Sequence, residues 1–225
     1  MLEAVLFDLD GTLIDTAPDL AGTLNEMRRR RGLDAVPLAQ VRPFVSHGAR
    51  GMLTSGFRMK TDDPQFQAMR EEFLEIYAAN ICVESQLFPG MEELLKHLEE
   101  RDIAWGVVTN KFERLARPLL DALQLSDRAA IIVGGDTCPR PKPFPDPLLH
   151  AAAEIGTAPA ATLYVGDDAR DVTAARAAGM PVVVAAYGYL GDGDPPSLWG
   201  ADAILDSPRD VLDWIIERGL AQRAA

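Results

Sequence analysis

From residue 85 onward, short apolar runs alternate with amphipathic stretches about ten to fifteen residues long, and no other regularity in the chain restricts its fold so strongly. The runs at 4–7, 103–109, 130–133, 162–165, 181–186 and 203–205 are nearly continuous in apolar side chains, as strands covered on both faces must be. The helical stretches between them are 91–100, 111–123, 147–155 and 168–178, the last two ending at Gly156 and Gly179, where a glycine suits the left-handed end of a helix. Crossovers between parallel strands are right-handed, so the pattern predicts an α/β fold with a Rossmann-like, doubly wound parallel sheet as its core.

Residues 17–84 break the rhythm, offering helical patterns with no strand between them. One helix is expected from near Pro18 to Arg31, capped by Asp15 or Thr16; a second over 38–57; a third from Pro64 to about Asn80. They would form an inserted all-helical cap domain, residues 16–84, in a Rossmann-like core made of 1–15 and 85–225. The crossings near Asp15 and Ser85 would be its hinges, and closure would exclude water from whatever lies beneath. Four successive arginines, Arg28 to Arg31, resemble a phosphate patch, but at a helix C-terminus they oppose the macrodipole and are readily solvated.

A chain of 225 residues with 48% hydrophobic content can bury one large core or a core with an insertion. It has no run of eighteen apolar residues and begins on a strand pattern, which points to a cytoplasmic protein without a membrane span. Cys82 and Cys138 fit neither a disulfide framework nor a metal motif and are expected to be buried structural thiols. A formal charge of −12 opposes binding to nucleic acid or an anionic membrane, so an anionic ligand must be drawn by local positive charge.

The chemistry is concentrated where strands end. Residues 5 to 16 read Val-Leu-Phe-Asp-Leu-Asp-Gly-Thr-Leu-Ile-Asp-Thr, and strand alternation would put Asp8 and Asp10 on one side, where they repel unless a metal or a proton joins them. In an open parallel sheet the C-terminal strand ends share one crevice. After the second strand comes Thr109-Asn110-Lys111, a hydroxyl and helix-start N–H groups suited to phosphate oxygens. After the third, Pro139-Arg140-Pro141-Lys142-Pro143-Phe144-Pro145-Asp146-Pro147 makes a stiff arm holding the Lys142 ammonium, although such a loop also suits a polyproline-binding partner. After the fourth, Gly166-Asp167-Asp168-Ala169-Arg170-Asp171 brings two carboxylates to the strand end and a third one turn later, with Asp167 equally suited to a helix N-cap.

Taken in order, these four segments resemble the motifs of the haloacid dehalogenase superfamily across nearly the whole chain, and the insertion is similar to the small helical cap of its phosphoglycolate phosphatase and phosphoglucomutase branch. The resemblance implies a Mg²⁺-dependent phosphatase acting on a small phosphomonoester through an aspartyl phosphate. Asp8 would be the nucleophile and Asp10, initially protonated, the general acid and then base. Thr109, Asn110 and Lys142 would hold phosphate, and Asp8, Asp167 and the Asp10 carbonyl would hold the metal, supported from behind by Asp168 and Asp171. Dehalogenases of the superfamily lack a carboxylate two residues after the nucleophile, so Asp10 argues against dehalogenation.

The cap segment Ser46-His47-Gly48-Ala49-Arg50 lies where similar caps send a loop over the crevice; Arg50, with His47 beside it, would grip a substrate carboxylate, or is an ordinary surface arginine. His97 and His150 sit in amphipathic stretches and read as structural. Residues 105–111, Tyr187-Gly188-Tyr189 and Trp199-Gly200-Ala201-Asp202 look closer to the branch acting on N-acetylmuramic acid 6-phosphate than to phosphoglycolate phosphatases. Both substrates carry a carboxylate, and they differ greatly in size. The expected partner is thus a small phosphorylated metabolite bearing a carboxylate, met by a monomer or homodimer. A sugar phosphomutase and a non-catalytic phosphoacceptor, its cap a partner-binding module, are the alternatives.

Overall fold

The computed structural model describes residues 2–191 and 193–217. The first strand, β1 (Ala4–Phe7), leads through β2 (Ile14–Asp15) into α1 (Ala17–Arg30), α2 (Leu38–Val41), a 3₁₀ segment (Arg42–His47), α3 (Gly48–Phe57) and α4 (Phe66–Ala79). The chain returns through β3 (Gln86–Leu87), α5 (Met91–Glu99), β4 (Ala104–Val108), α6 (Glu113–Ala122), β5 (Ile131–Val133), α7 (Asp146–Ile155), β6 (Thr162–Gly166), α8 (Ala169–Ala178), β7 (Val182–Ala185), β8 (Ala203–Leu205) and α9 (Pro208–Glu217). Six strands form one parallel sheet in the order β5-β4-β1-β6-β7-β8. Counted along the chain this is the doubly wound order, and its direction reverses at β1, so the ligand crevice is expected beyond that strand's C-terminal end.

Side-chain alternation divides the apolar strands between two layers. Val5, Phe7, Trp105, Val107, Leu163 and Val165 pack with buried leucines of α5 and α6 and with α9, whereas Leu6, Val108, Tyr164, Val182 and Val184 pack with α7 and α8. Both faces of the sheet are therefore sealed, which leaves its C-terminal edge for chemistry. Helix α9 carries no expectation from the sequence reading.

The insertion has a hydrophobic cluster of its own, built on Leu24, Met27, Met52, Leu53, Phe73 and Tyr77, to which Leu115 and Tyr189 of the core also belong. The single helix expected over 38–57 is instead broken in two places. Pro43 has no N–H to continue an α-helix, and Gly48 adopts φ +57°, a conformation that favours glycine, so the chain bends through Arg42–His47 before α3 begins. The arginines closing α1 pair with Glu26 and Glu72 on the surface.

The two crossings between insertion and core are joined to each other, which the sequence reading missed. Ile14 and Asp15 pair antiparallel with Leu87 and Gln86. Beside this ribbon, the Asp19 carboxylate accepts the N–H groups of Val83, Glu84 and Ser85 at 3.0, 2.9 and 2.9 Å and the Ser85 hydroxyl at 2.6 Å. Thr16 stands at the N-cap of α1 but makes no side-chain cap; the Tyr189 hydroxyl accepts the Thr16 and Ala17 N–H groups instead, at 2.8 and 2.9 Å. Cys82 and Cys138, expected to be buried, are half-exposed free thiols. Among the described residues no helix is long and apolar enough to cross a membrane.

Candidate active site

Strand β1 stops at Phe7, so a turn and not strand alternation places Asp8 and Asp10. Ile14 N–H donates to Leu9 O at 2.9 Å and Gly11 N–H to Ile14 O at 3.0 Å, with Gly11 at φ +91°. A Cβ at Gly11 would collide with the Asp167 carboxylate, so glycine is required twice over. Both aspartates line one cavity, yet each faces a different ammonium. Asp8 Oδ1 lies 2.9 Å from Lys142 Nζ in an ion pair whose geometry falls short of a hydrogen bond, leaving that buried oxygen without a donor. Asp10 Oδ1 accepts Thr16 Oγ1–H at 2.6 Å and Lys111 Nζ–H at 2.9 Å, and Lys111 also reaches Oδ2 at 3.2 Å.

Lys142 is fixed from both ends. Its backbone N–H donates to Asn110 Oδ1 at 3.0 Å, and its carbonyl accepts from Asn110 Nδ2 at 2.9 Å, so the Asn110 side chain holds the lysine loop while the residue, expected to hold phosphate, also lines the cavity. Lys142 Nζ donates to Asp171 Oδ1 at 2.6 Å and Tyr164 Oη at 2.8 Å. Burial alone would lower the pKa of this ammonium, but Asp171 and Asp8 outweigh it and hold the pKa above its ordinary value. Thr109 is buried beside it, its hydroxyl accepting Lys111 N–H at 3.1 Å.

Beyond β6, Asp168 and not Asp167 caps α8: Asp168 Oδ1 accepts Arg170 N–H at 2.8 Å, and Asp171 Oδ2 accepts Asp168 N–H at 3.1 Å. Asp167 is fully buried and turns instead toward the Gly11 turn, accepting Thr12 Oγ1–H at 3.2 Å and Tyr189 N–H at 2.7 Å. Asp8, Asp167 and Asp171 each offer a carboxylate oxygen within 4.8 Å of the others. Burial, with the charges of Asp8 and Asp171, pushes the Asp167 carboxyl well above the usual carboxylate range. Asp171 is raised to about 6 by burial, against the pull of Lys142 and with Asp8 adding to the rise. Buried carboxylates converging on one ammonium, one of them with a donorless oxygen, form a set of hard donors deficient in positive charge, which suits a small divalent cation. Asp171, expected to stand behind the metal, offers an oxygen to the same cluster as Asp8 and Asp167.

The cavity holds about 360 Å³ between the sheet edge and the insertion. His47 and Arg50 reach its wall, as do Arg70, Phe73 and Tyr77 of α4. Arg170 ties the two sides together, pairing with Asp168 at 2.7 Å and donating to Ser46 O at 2.8 Å. Lys111, Tyr189 and Arg170 carry no role in the sequence reading. Lys111 directly follows the Thr109-Asn110 pair and Tyr189 ends the Tyr187-Gly188-Tyr189 segment singled out above, but the partners of Tyr189 are 22 and 172 to 174 residues away, so its contacts leave no local signal.

A doubly wound sheet with paired aspartates beyond its first strand, a buried lysine on the loop after its third and acidic residues after its fourth defines a hydrolase built for anionic esters. Residues 5–185 match the model of the haloacid dehalogenase-like hydrolases, and the chain belongs to that family. It is 50% identical over 211 residues to a phosphoglycolate phosphatase of Xanthomonas campestris, covering 93% of this chain and 95% of that one. It is 42% identical over 219 residues to the N-acetylmuramic acid 6-phosphate phosphatase of Pseudomonas aeruginosa, covering 97% and 96%. A solved structure described as a predicted phosphoglycolate phosphatase from Haemophilus somnus superposes with a TM-score of 0.83 at 29% identity, covering 95% of this chain and 97% of that one.

Proposed function

We propose that the chain is a Mg²⁺-dependent phosphatase for a small phosphomonoester whose alcohol carries a carboxylate. The observation that carries this reading is the separation of two neighbouring aspartates onto two ammonium groups at one cavity: Asp8 faces Lys142 and the acidic cluster, Asp10 faces Thr16 and Lys111. Both relatives named above act on such esters, and the substrate assignment to this chain rests on that likeness.

Asp8, Asp167 and Asp171 would hold the ion, which supplies charge neutralisation between an anionic nucleophile and an anionic phosphoryl group. Asp8 attacks phosphorus in line and forms an aspartyl phosphate as the bond to the alcohol oxygen breaks. Lys142 and the Thr109 hydroxyl lie at the same edge and offset charge on the phosphoryl oxygens. Asp10 gives a proton to the departing oxygen, then takes one from the water that attacks the aspartyl phosphate, releasing phosphate and restoring Asp8.

In this reading residues 16–84 are a cap that moves over the cavity on the ribbon of β2 and β3. The bonds of Asp19 and Tyr189 at the crossings support that role.

A panel of phosphorylated metabolites assayed with and without Mg²⁺ tests the proposal, with 2-phosphoglycolate and N-acetylmuramic acid 6-phosphate included. Mg²⁺-dependent release of inorganic phosphate, lost in Asp8→Asn, is expected. Turnover that persists in a folded Asp8→Asn chain overturns it. Small-angle scattering with a substrate analogue and Mg²⁺ tests closure; unchanged dimensions count against a moving cap.

A further inference from the structure

Lys111 is a buried cation on the cavity wall that the chemistry above leaves without a task. Its side chain is 7% exposed, it donates to both oxygens of Asp10, and its Nζ lies 4.5 Å from the ring centroid of Tyr77 on α4. An ammonium has three N–H groups, of which Asp10 takes two. Asp10 is the residue that must reach the leaving oxygen, so a substituent close to that oxygen necessarily lies beside the ammonium touching Asp10.

We propose, resting on the phosphatase reading, that Lys111 reads a carboxylate on the leaving alcohol and thereby couples substrate choice to the placement of Asp10. The substrate carboxylate takes the N–H of Lys111 that Asp10 leaves, reaching it from the cavity that Lys111 and Tyr77 both line. It then competes with Asp10 for the same charge and loosens the hold on Asp10 at the moment it turns to the leaving oxygen. In a chain of net charge −12, a second anion needs a buried cation of this kind, and its water-poor setting strengthens the pairing. A neutral alcohol leaves Asp10 clamped. Lys111 is thus a specificity and positioning residue, acting on the reaction through Asp10.

Two matched pairs test this by kcat/KM: 2-phosphoglycolate against 2-hydroxyethyl phosphate, and N-acetylmuramic acid 6-phosphate against N-acetylglucosamine 6-phosphate. The unaltered chain should prefer the carboxylate-bearing member of at least one pair by about tenfold or more, and the pair that shows it identifies the source of the carboxylate. In Lys111→Met the carboxylate-bearing ester should lose about 10-fold to 100-fold more than its neutral partner, the worth of one charge-assisted hydrogen bond, and Lys111→Arg should restore part of the preference. Lys111→Gln, which still donates to Asp10, replaces the Met variant if circular dichroism shows that variant unfolded. Equal losses on both members mean that Lys111 only supports Asp10, and overturn the inference. So does a preference that survives Lys111→Met and vanishes in Arg50→Met. An unaltered chain that hydrolyses both members equally overturns this inference alone; one that hydrolyses no phosphomonoester with Mg²⁺ overturns the phosphatase reading and this inference with it.

Discussion

Lys142 Nζ stands 2.6 Å from Asp171 Oδ1, and both side chains are almost entirely buried. With Asp8 on its other side, this ammonium is the positive centre of a crevice rich in carboxylates. Lys142→Met would leave Asp171 and Asp8 facing each other without it. Breaking a buried ion pair from one side typically costs about 3–5 kcal/mol. Urea unfolding in the absence of metal should show a loss of that order, together with loss of turnover; a variant as stable as the parent would mean that Asp171 does not depend on the lysine.

Asp10 is held away from Asp8 by Thr16 and Lys111, so the two aspartates should separate kinetically. Asp8→Asn removes the proposed nucleophile and should abolish phosphate release on every ester. Asp10→Asn should lower turnover of an alkyl phosphate by about 10² to 10⁴. With p-nitrophenyl phosphate, whose leaving group needs no proton, the same variant should release a burst of nitrophenol equal to the enzyme present and then slow, because hydrolysis still lacks its base. Stopped-flow absorbance reads the burst directly, and its absence would remove Asp10 from the second step.

The raised carboxyls of Asp167 and Asp171 make stability depend on pH in a fixed direction. Each binds its proton more tightly folded than unfolded, so the native state holds more protons between the unfolded pKa near 3.8 and the folded one, about 6 for Asp171 and higher than normal for Asp167. Stability from these groups is full below the unfolded value and declines as pH rises through the folded value. For Asp171 the effect is roughly 3 kcal/mol at most. Without metal, acidification from pH 7.5 toward 5 should therefore favour folding at this site. Mg²⁺ should raise Tm more at pH 7.5 than at pH 5, where protons compete for the same oxygens. Asp167→Asn should raise the metal-free Tm at neutral pH and flatten the Mg²⁺ response, as calorimetry would show.

The sheet was legible because its central strands are buried on both faces and so carry apolar runs, and because Asp8 and Asp167 follow such runs directly, with Lys142 farther on at the end of a proline-spaced arm after Val133. The end of the first strand was legible at Phe7, but strand alternation does not carry on to Asp8 and Asp10, because a turn closed by hydrogen bonds among Leu9, Gly11 and Ile14 takes over there. Two-residue strands such as Ile14–Asp15 and Gln86–Leu87 are too short to have a period and exist only because the crossings meet. The pairing of Lys111 with Asp10 spans 101 residues, and a pair so distant leaves no pattern in one sequence. The break in the helix expected over 38–57 was present as Pro43 and Gly48, and the apolar periodicity around them masked it.

Tyr189 joins the crossing to the acidic cluster through two different groups. Its hydroxyl accepts Thr16 and Ala17 N–H and donates to Asp15 Oδ1 at 2.9 Å, while its backbone N–H donates to Asp167. Arg42 adds to the same knot, donating twice to Asp15 Oδ2 at 3.0 Å and lying 5.0 Å from the Tyr189 ring centroid. Tyr189→Phe removes the hydroxyl alone, orphans the Thr16 N–H at a cost of about 1–3 kcal/mol when left buried and unmet, and leaves the Ala17 N–H only its 3.3 Å bond to Asp15 Oδ1. The expected outcome is a drop of about 1–3 kcal/mol in unfolding free energy with the Mg²⁺-induced rise in Tm retained, since the Asp167 contact belongs to the backbone. A simultaneous loss of the Mg²⁺ response would show that the hydroxyl, and with it the crossing, controls where Asp167 stands.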